Sequence, residues 1–169
     1  MWNMADVAYG EEGHPAGARL TRRERLETVA RALWRVYRRH PWLPHLTPLG
    51  RPLPLPGVAA HGEQLLTALD GLGLEPAAML DIEILIYSYV QGLAVHLERE
   101  AQAMSATGLS EQQWLDRQLT GLNAIAASNR FPRFASLIRS LDAQGYDFDL
   151  DKLFEFGLAT LLDGLALDG

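Results

Sequence analysis

Residues 77–103 constrain the fold more than any other part of the chain. They contain no proline and a single glycine, Gly92, and Pro76 just before them suits the first position of a helix. Apolar side chains in this segment project in nearly every direction around a helix axis, and they include Met79, Leu80, Ile82, Ile84, Leu85, Ile86, Tyr87, Tyr89, Val90, Leu93, Val95 and Leu97. Since a helix that is apolar on most faces has to be covered from more than one side, we expect a long central helix with several packing partners.

The rest of the chain is predicted to be helical as well. Apolar residues recur at three- and four-residue spacing in every long segment, and no stretch alternates with period two. The sequence therefore predicts an all-α protein of about six helices with no sheet. We place these helices at Thr21 to before Pro41, 58–72, 77–103, from Ser110, from Pro132 to Gly145, and from near Asp149.

Two segments have a distinctive composition. Residues 41–56 hold six of the nine prolines, which favours an extended connection over a helix. The first long helix carries a face of basic residues, for which a solvated surface is the simplest interpretation. They are Arg22, Arg25, Arg31, Arg35, Arg38 and Arg39.

Composition excludes several classes of function. A formal net charge of -6 argues against nucleic-acid binding by this chain alone, and the absence of cysteine excludes disulfides and thiolate metal sites. The five histidines lack the spacing of a helical metal site, and no catalytic motif is present, so we expect no metal and no cofactor. No uninterrupted apolar run approaches about 20 residues, which predicts a cytoplasmic protein without a membrane partner.

The last helix predicts self-association. Gly157 and Gly164 lie seven residues apart and, with Phe156, Thr160 and Leu167, off its apolar stripe. Glycine inside a helix is destabilising unless another helix approaches closely, so we expect the third and last helices to pair with their copies in a twofold dimer, as a four-helix bundle. The predicted interface residues are Ile82, Ile86, Tyr89, Leu93, Phe156, Gly157, Thr160 and Gly164.

Several short sequences in the chain resemble a known family. Residues 154–158 and 161–165 read FEFGL and LLDGL, residues 39–43 read RHPWL, and residues 71–74 read GLGL before Pro76. Together they resemble the all-helical regulatory domain of TetR-family transcriptional repressors, over nearly all of residues 1–168. The resemblance implies a dimer formed through the third and last helices, with an effector pocket inside each helical barrel.

The resemblance also implies a division of the chain. We expect residues 1–20 to be a remnant of the family's linker helix with a loop, and residues 21–169 to form the effector-binding and dimerisation domain. The family's helix-turn-helix is not among these residues, so contact with DNA is expected only through such a segment outside this chain.

Candidate effector contacts are aromatic and polar residues on helix faces that we expect to point inward. A pocket for a small, largely apolar effector needs an apolar wall with a few convergent polar groups. Tyr87 and Gln91, four residues apart, are the preferred polar pair. Asp81 and Glu83 are either interfacial or effector contacts, or exposed residues at a groove edge. The full set of effector candidates is Trp34, Tyr37, His61, Leu65, Tyr87, Gln91 and Trp114.

The favoured function is an effector-binding homodimer that controls DNA binding, not an enzyme. Two alternatives stay open at this point. One is a module that sequesters ligand or forms heterodimers without reading DNA, and the other, less favoured, is a helical small-molecule enzyme.

Overall fold

A computed structural model describes residues 2–12, 20–46, 51, 53–128 and 130–165. Within these ranges the chain forms seven α-helices and no strand, which confirms the all-α prediction. The helices are α1 (Trp2–Gly10), α2 (Arg22–Arg39), α3 (Pro56–Leu69), α4 (Pro76–Thr107), α5 (Glu111–Ala127), α6 (Pro132–Gln144) and α7 (Leu150–Gly164). Six of them correspond to the predicted helices, and α1 is the segment assigned to the linker.

Two helices begin with the predicted capping boxes. The backbone N–H of Glu24 donates to Thr21 Oγ1 at 3.2 Å, and the backbone N–H of Thr21 donates to Glu24 Oε2 at 2.7 Å. Ser110 and Gln113 make the same reciprocal pair at the start of α5. Each box satisfies two backbone donors that the first turn of a helix leaves free.

Some boundaries differ from the prediction. Helix α3 begins at Pro56 and ends at Leu69, not at 58 and 72, because proline suits its first turn and Gly71 adopts a left-handed φ of 78°. Helix α4 continues to Thr107, beyond the expected residue 103, and stops where Gly108 has a φ of 69°.

The proline-rich connection is not extended throughout. Leu43–His45 form a single 3-10 turn, in which Leu43 and Pro44 are buried. The prediction of an extended segment was wrong here, because an apolar leucine and proline can be buried where the turn packs on the helices. Thr47–Gly50 and Pro52 lie outside the described residues.

The chain divides into two compact units. The first comprises residues up to Glu98 together with those from Asp151, and in it α3 packs mainly against α1 and α2. Its largest fully buried side chains are Tyr37, Phe154, Leu26, Leu43, Leu69, Ile86, Leu158, Leu162, Val36 and Val90.

The second unit comprises Arg99–Leu150, in which α5 and α6 pack against each other. No residue of α5 is buried, and in α6 only Ala135 is buried. Large apolar side chains of this unit are therefore exposed, and they include Trp114, Leu119, Ile125, Phe131, Leu137 and Phe148.

The arginines of α2 do not form a simple solvated face. Arg31 donates to both oxygens of Glu155 in α7, and Arg23 lies 2.6 Å from Asp163. Towards α1, Arg35 and Arg39 pair with acidic residues at the end of that helix. The basic face therefore connects α2 to α1 and α7 within the first unit, although each exposed pair contributes at most about 1 kcal/mol.

Helix α4 exposes much of its apolar surface. By length and composition alone it could cross a membrane, since an 18-residue window has a mean hydropathy of 1.4 and only 17% of that window is buried. The core helix of a globular protein passes the same test. The finding establishes a large uncovered apolar surface within one copy of the chain.

Candidate functional site

Three tyrosine hydroxyls from three helices meet inside the first unit. The hydroxyl of Tyr9 in α1 lies 3.2 Å from that of Tyr37 in α2 and 3.2 Å from that of Tyr87 in α4. Tyr9 and Tyr37 are buried and Tyr87 is half-buried. Each hydroxyl has one donor and two acceptor positions, so the three can satisfy one another in an otherwise apolar interior. We call these three residues the tyrosine cluster.

Tyr9 and Tyr37 are neutral, and the hydrogen bonds within the tyrosine cluster are long. Burial, with the neighbouring Tyr87, raises the pKa of Tyr9 well above its usual value, and burial likewise raises the pKa of Tyr37. Hydroxyl hydrogen bonds are most often about 2.7–2.8 Å long, so bonds of 3.2 Å are weak. The donors can therefore be redirected to a polar group of a ligand at small energetic cost.

His61 of α3 adds an imidazole to the tyrosine cluster. Its Nε2 lies 3.1 Å from the backbone oxygen of Tyr9, and because a carbonyl only accepts, Nε2 carries the proton. The two rings meet edge to face at 6.2 Å. Leu65, one turn further along α3, is buried as well. Tyr37, His61 and Leu65 are therefore buried in the first unit, and the structure brings His61, Tyr37 and Tyr87 together around Tyr9.

Tyr9 was missed in the sequence analysis because residues 1–20 were assigned to a linker remnant. A signal was present, since Ala5, Ala8 and Tyr9 follow the spacing of one helix face, and all three are buried. Helix α1 crosses the start of α3 closely, where the N–H of Gly57 donates to Asp6 Oδ1 at 2.7 Å.

Helix α1 is also held at its C-terminal end. Glu11 accepts from Arg39 at 2.8 Å and pairs with His40 at 3.0 Å. Glu12 pairs with Arg35 at 2.9 Å and with Arg39 at 3.1 Å. The hydrogen bond from Arg39, followed by that from His40, lowers the pKa of Glu11. Helix α1 is thus fixed at Asp6, at Tyr9 and at its end.

Two predicted effector residues contact other groups. Trp34 donates its ring N–H to Asp151 Oδ1 at 2.7 Å and stacks on Phe154 at 4.8 Å, so it joins α2 to α7. Gln91 donates to the carbonyl of Pro44 at 2.8 Å and holds the 3-10 turn on α4. The preferred Tyr87–Gln91 pair thus shares a helix face, but its two polar groups have different partners.

Trp114 does not point inward as predicted. It lies in the second unit and is 51% exposed. Helical spacing identifies which residues share a face, but it does not determine whether another element covers that face.

The predicted dimer residues divide into three groups by their exposure within one copy of the chain. Ile86 is buried within one copy, and Tyr89 donates to the carbonyl of Phe154 at 2.7 Å in the same chain. A Cβ on Gly157 would overlap the Tyr89 phenol, so the close approach expected at this glycine comes from α4 of its own chain. Ile82 and Leu93 are half-buried. The members that are exposed are Phe156, Thr160 and Gly164.

The placement of these residues corrects the orientation predicted for α4. Its buried stripe is Ile86, Val90 and Ala94, so the face assigned to the partner points largely into the chain itself. The large apolar side chains that α4 exposes are Leu80, Ile84 and Leu85, at 52%, 39% and 46% exposure. Periodicity could not distinguish the two faces because both are apolar.

Comparison with known proteins gives the family context of this arrangement. Residues 14–168 match the family model of the tetracyclin repressor-like C-terminal domain. The HTH-type transcriptional repressor DrrR1 of Streptomyces coeruleorubidus is 37% identical over 143 residues, which cover 85% of this chain and 51% of that protein. The chain therefore spans about half the length of this curated relative.

Solved structures with a similar fold come from Streptomyces coelicolor. The TetR-family protein ActR in complex with (S)-DNPA superposes with a TM-score of 0.64 at 20% identity, over 96% of this chain and 72% of ActR. Apo ActR gives 0.67 at 21% identity, over 97% and 72%. The transcriptional regulator SCO7222, a TetR, gives 0.61 at 21% identity, over 96% and 70%. DrrR1 is a transcriptional repressor and SCO7222 is a transcriptional regulator.

Proposed function

Because the chain belongs to the tetracyclin repressor-like C-terminal domain family, we propose that it is an effector-binding and dimerising domain that controls DNA binding by a helix-turn-helix outside residues 1–169. Such a domain acts where the chromosome lies, so we place it in the cytoplasm. The observation that carries the proposal is the convergence of Tyr9, Tyr37 and Tyr87 from three helices.

We place the effector at the tyrosine cluster. Its hydroxyls are joined by hydrogen bonds of 3.2 Å, and His61 and Leu65 lie on the neighbouring face of α3. Apolar walls with a few convergent polar groups are typical of small-molecule sites. The structure of ActR with (S)-DNPA supports this proposal, because it gives a small-molecule complex of a protein with the same fold.

Helix α1 is the proposed route from effector to DNA. In the resemblance described above it corresponds to the helix that leads to the DNA reader. A ligand that bonds to Tyr37 or Tyr87 competes with the Tyr9 hydroxyl and weakens one of the three attachments of α1. Effector binding then favours a position of α1 that no longer suits the operator, to the extent that the effector prefers this state.

A thermal-shift screen tests the effector site. A panel of small, largely apolar molecules is screened on the 169-residue chain, and hits are retested on Tyr9→Phe and Tyr87→Phe. At a ligand concentration of 100 times Kd, stabilisation amounts to about 2.7 kcal/mol. We expect both variants to lose most of it, while Tyr146→Phe, a tyrosine 60% exposed in the second unit, retains it. Full stabilisation of both variants would contradict the proposed site.

We place the dimer interface on the exposed apolar surface of α4 and α7. Phe156 is 72% exposed and Leu153 is 38% exposed on α7, and Leu80, Ile84 and Leu85 are exposed on α4. Apolar patches of this kind usually mark interaction sites, and a twofold pairing would bury both helices at once. A second copy covers this surface better than lipid, because Asp81 and Glu83 interrupt the apolar stretch of α4.

Native mass spectrometry tests this interface. Wild type should give a species of twice the 18.7 kDa chain mass. Phe156→Asp should shift it towards monomer, since a charge would replace a buried aromatic ring in the interface. Phe148→Asp, the same change at an exposed phenylalanine of the second unit, is the control. A dimer of unchanged strength in Phe156→Asp would show that the interface lies elsewhere.

A further inference from the structure

A groove that is separate from the tyrosine cluster runs between residues 53–55, α3 and the first turns of α4. Its volume is about 460 Å³, within the range of about 300–1,000 Å³ that small-molecule sites occupy. The walls are largely apolar, and they include Leu53, Pro54, Leu55, Val58, Ala59 and Leu66.

One carboxylate lies in this groove. Glu83 is half-buried on α4 and lines the groove, together with the more exposed Glu63. Among the described residues, no cationic side chain pairs with Glu83, and burial alone raises the pKa of its carboxyl. The groove therefore contains an anion that has lost part of its hydration without gaining a partner of opposite charge.

Gly62 of α3 gives the carboxylate its room. A Cβ at this position would lie 2.5 Å from Glu83 Oε1. The adjacent residue, His61, is buried against Tyr9. One side of α3 therefore contacts the tyrosine cluster, and another side lines the groove. Any side chain at residue 62 would displace the carboxylate from its present position.

We propose that this groove binds a small amphipathic amine, whose ammonium group pairs with Glu83 and whose apolar body lies against Val58 and Leu66. A cation restores the electrostatic stabilisation that the carboxylate lost on burial, and the walls remove apolar surface from water. Charge complementarity selects an amine over a neutral or anionic ligand of the same shape. Among the described residues that line the groove, there is no arginine or lysine to attract an anion.

Isothermal titration with matched probes tests the charge. The probes are 1-naphthylmethylamine, protonated at pH 7, and its neutral twin 1-naphthylmethanol, each titrated into the 169-residue chain. We expect the amine to bind at least about tenfold more tightly than the alcohol, since partly buried charge pairs are stronger than exposed ones. Equal affinities, or no binding of the amine, would overturn the proposal.

Two variants locate the site. Glu83→Gln should weaken amine binding at least about tenfold, and Gly62→Ala should also weaken it by displacing the carboxylate. Asp81 is an exposed carboxylate two residues earlier on the same helix, so Asp81→Asn should bind the amine as tightly as wild type does. Circular dichroism checks that all variants are folded. Unchanged affinity in Glu83→Gln would refute the role of this carboxylate.

Amide chemical shifts provide a readout that does not depend on substitution. In a heteronuclear NMR titration of wild type, the amine should perturb Val58 and Gly62 before any amide around Tyr37. Perturbations centred on Tyr37 would place the amine in the tyrosine cluster and overturn the groove as its site. If the amine does not bind in the groove, the thermal-shift test of the tyrosine cluster still stands. The two proposals can therefore be refuted independently of each other.

Discussion

Gly57→Ala should destabilise the chain by forcing α1 away from α3. A Cβ at residue 57 would lie 2.8 Å from the backbone oxygen of Asp6 and 2.8 Å from Tyr9 Cβ. Since these are atoms of the main chain or attached directly to it, the helix itself has to move. Overpacking costs about 1–3 kcal/mol, and replacing glycine by alanine in a helix recovers at most about 1 kcal/mol. Because the main chain has to move, the cost lies in the upper half of that range, and we expect a net loss of about 1–2 kcal/mol.

The same helix offers a matched control. In Gly62→Ala the new Cβ would meet only the end of the flexible Glu83 side chain, which can rotate away. This variant should therefore be neutral or more stable than wild type by up to about 1 kcal/mol.

Thermal unfolding followed by circular dichroism, at one fixed chain concentration, compares the two variants. A loss of about 1–2 kcal/mol lowers Tm by about 2–8 °C at this chain length, because each kcal/mol shifts Tm by about 2–4 °C. If Gly57→Ala unfolds at the wild-type temperature, or if Gly62→Ala loses as much stability as Gly57→Ala, α1 does not pack closely on α3 at residue 57.

Three further changes have expected outcomes. Gly157→Ala should lose about 1–3 kcal/mol in urea unfolding because its Cβ overlaps the Tyr89 phenol, whereas Gly164→Ala, whose Cβ meets nothing within 4 Å, should not. Trp34→Phe retains an aromatic ring but removes the ring N–H bond to a carboxylate of α7, so about 1 kcal/mol should be lost in the same assay. Burial raises the pKa of Glu83 above 4.5, so the folded state disfavours its ionised form. The free energy of unfolding of wild type should therefore fall relative to that of Glu83→Gln as pH rises from 4.5 through the raised pKa. In urea titrations, the difference between the two proteins should be smaller near pH 4 than at pH 7.

Helix existence could be predicted from the sequence because its signals are local. Thr21 with Glu24, and Ser110 with Gln113, satisfy backbone donors within four residues, so no tertiary contact is needed to recognise them. The continuation of α4 beyond residue 103 was harder to predict from the sequence. Its end depends on the left-handed conformation of Gly108, and nothing in the preceding residues interrupts the helix.

The local sequence pattern could not predict which face of a helix packs against the rest of the chain. Helix α4 is apolar on most faces, so the stripe with Ile86 and the stripe with Ile84 are equivalent until another helix packs on one of them. The same reason explains Gly157. The sequence indicated that another helix approaches this glycine closely, but it did not indicate that the approaching residue is Tyr89 of the same chain.

Helix α4 connects the two proposed sites through one row of polar side chains. Glu83, Tyr87 and Gln91 succeed one another every four residues, so they lie on one face of the helix. Each meets a different element: Glu83 lies beside α3, Tyr87 bonds to Tyr9 of α1, and Gln91 bonds to Pro44 of the 3-10 turn. Because the three residues lie on one face of the helix, we expect a rotation of α4 that accompanies pairing of the amine with Glu83 to change the contact between the Tyr87 and Tyr9 hydroxyls as well. An amine in the groove should therefore change the affinity of the tyrosine cluster for its effector, and by thermodynamic reciprocity the effector should change the affinity for the amine by the same factor.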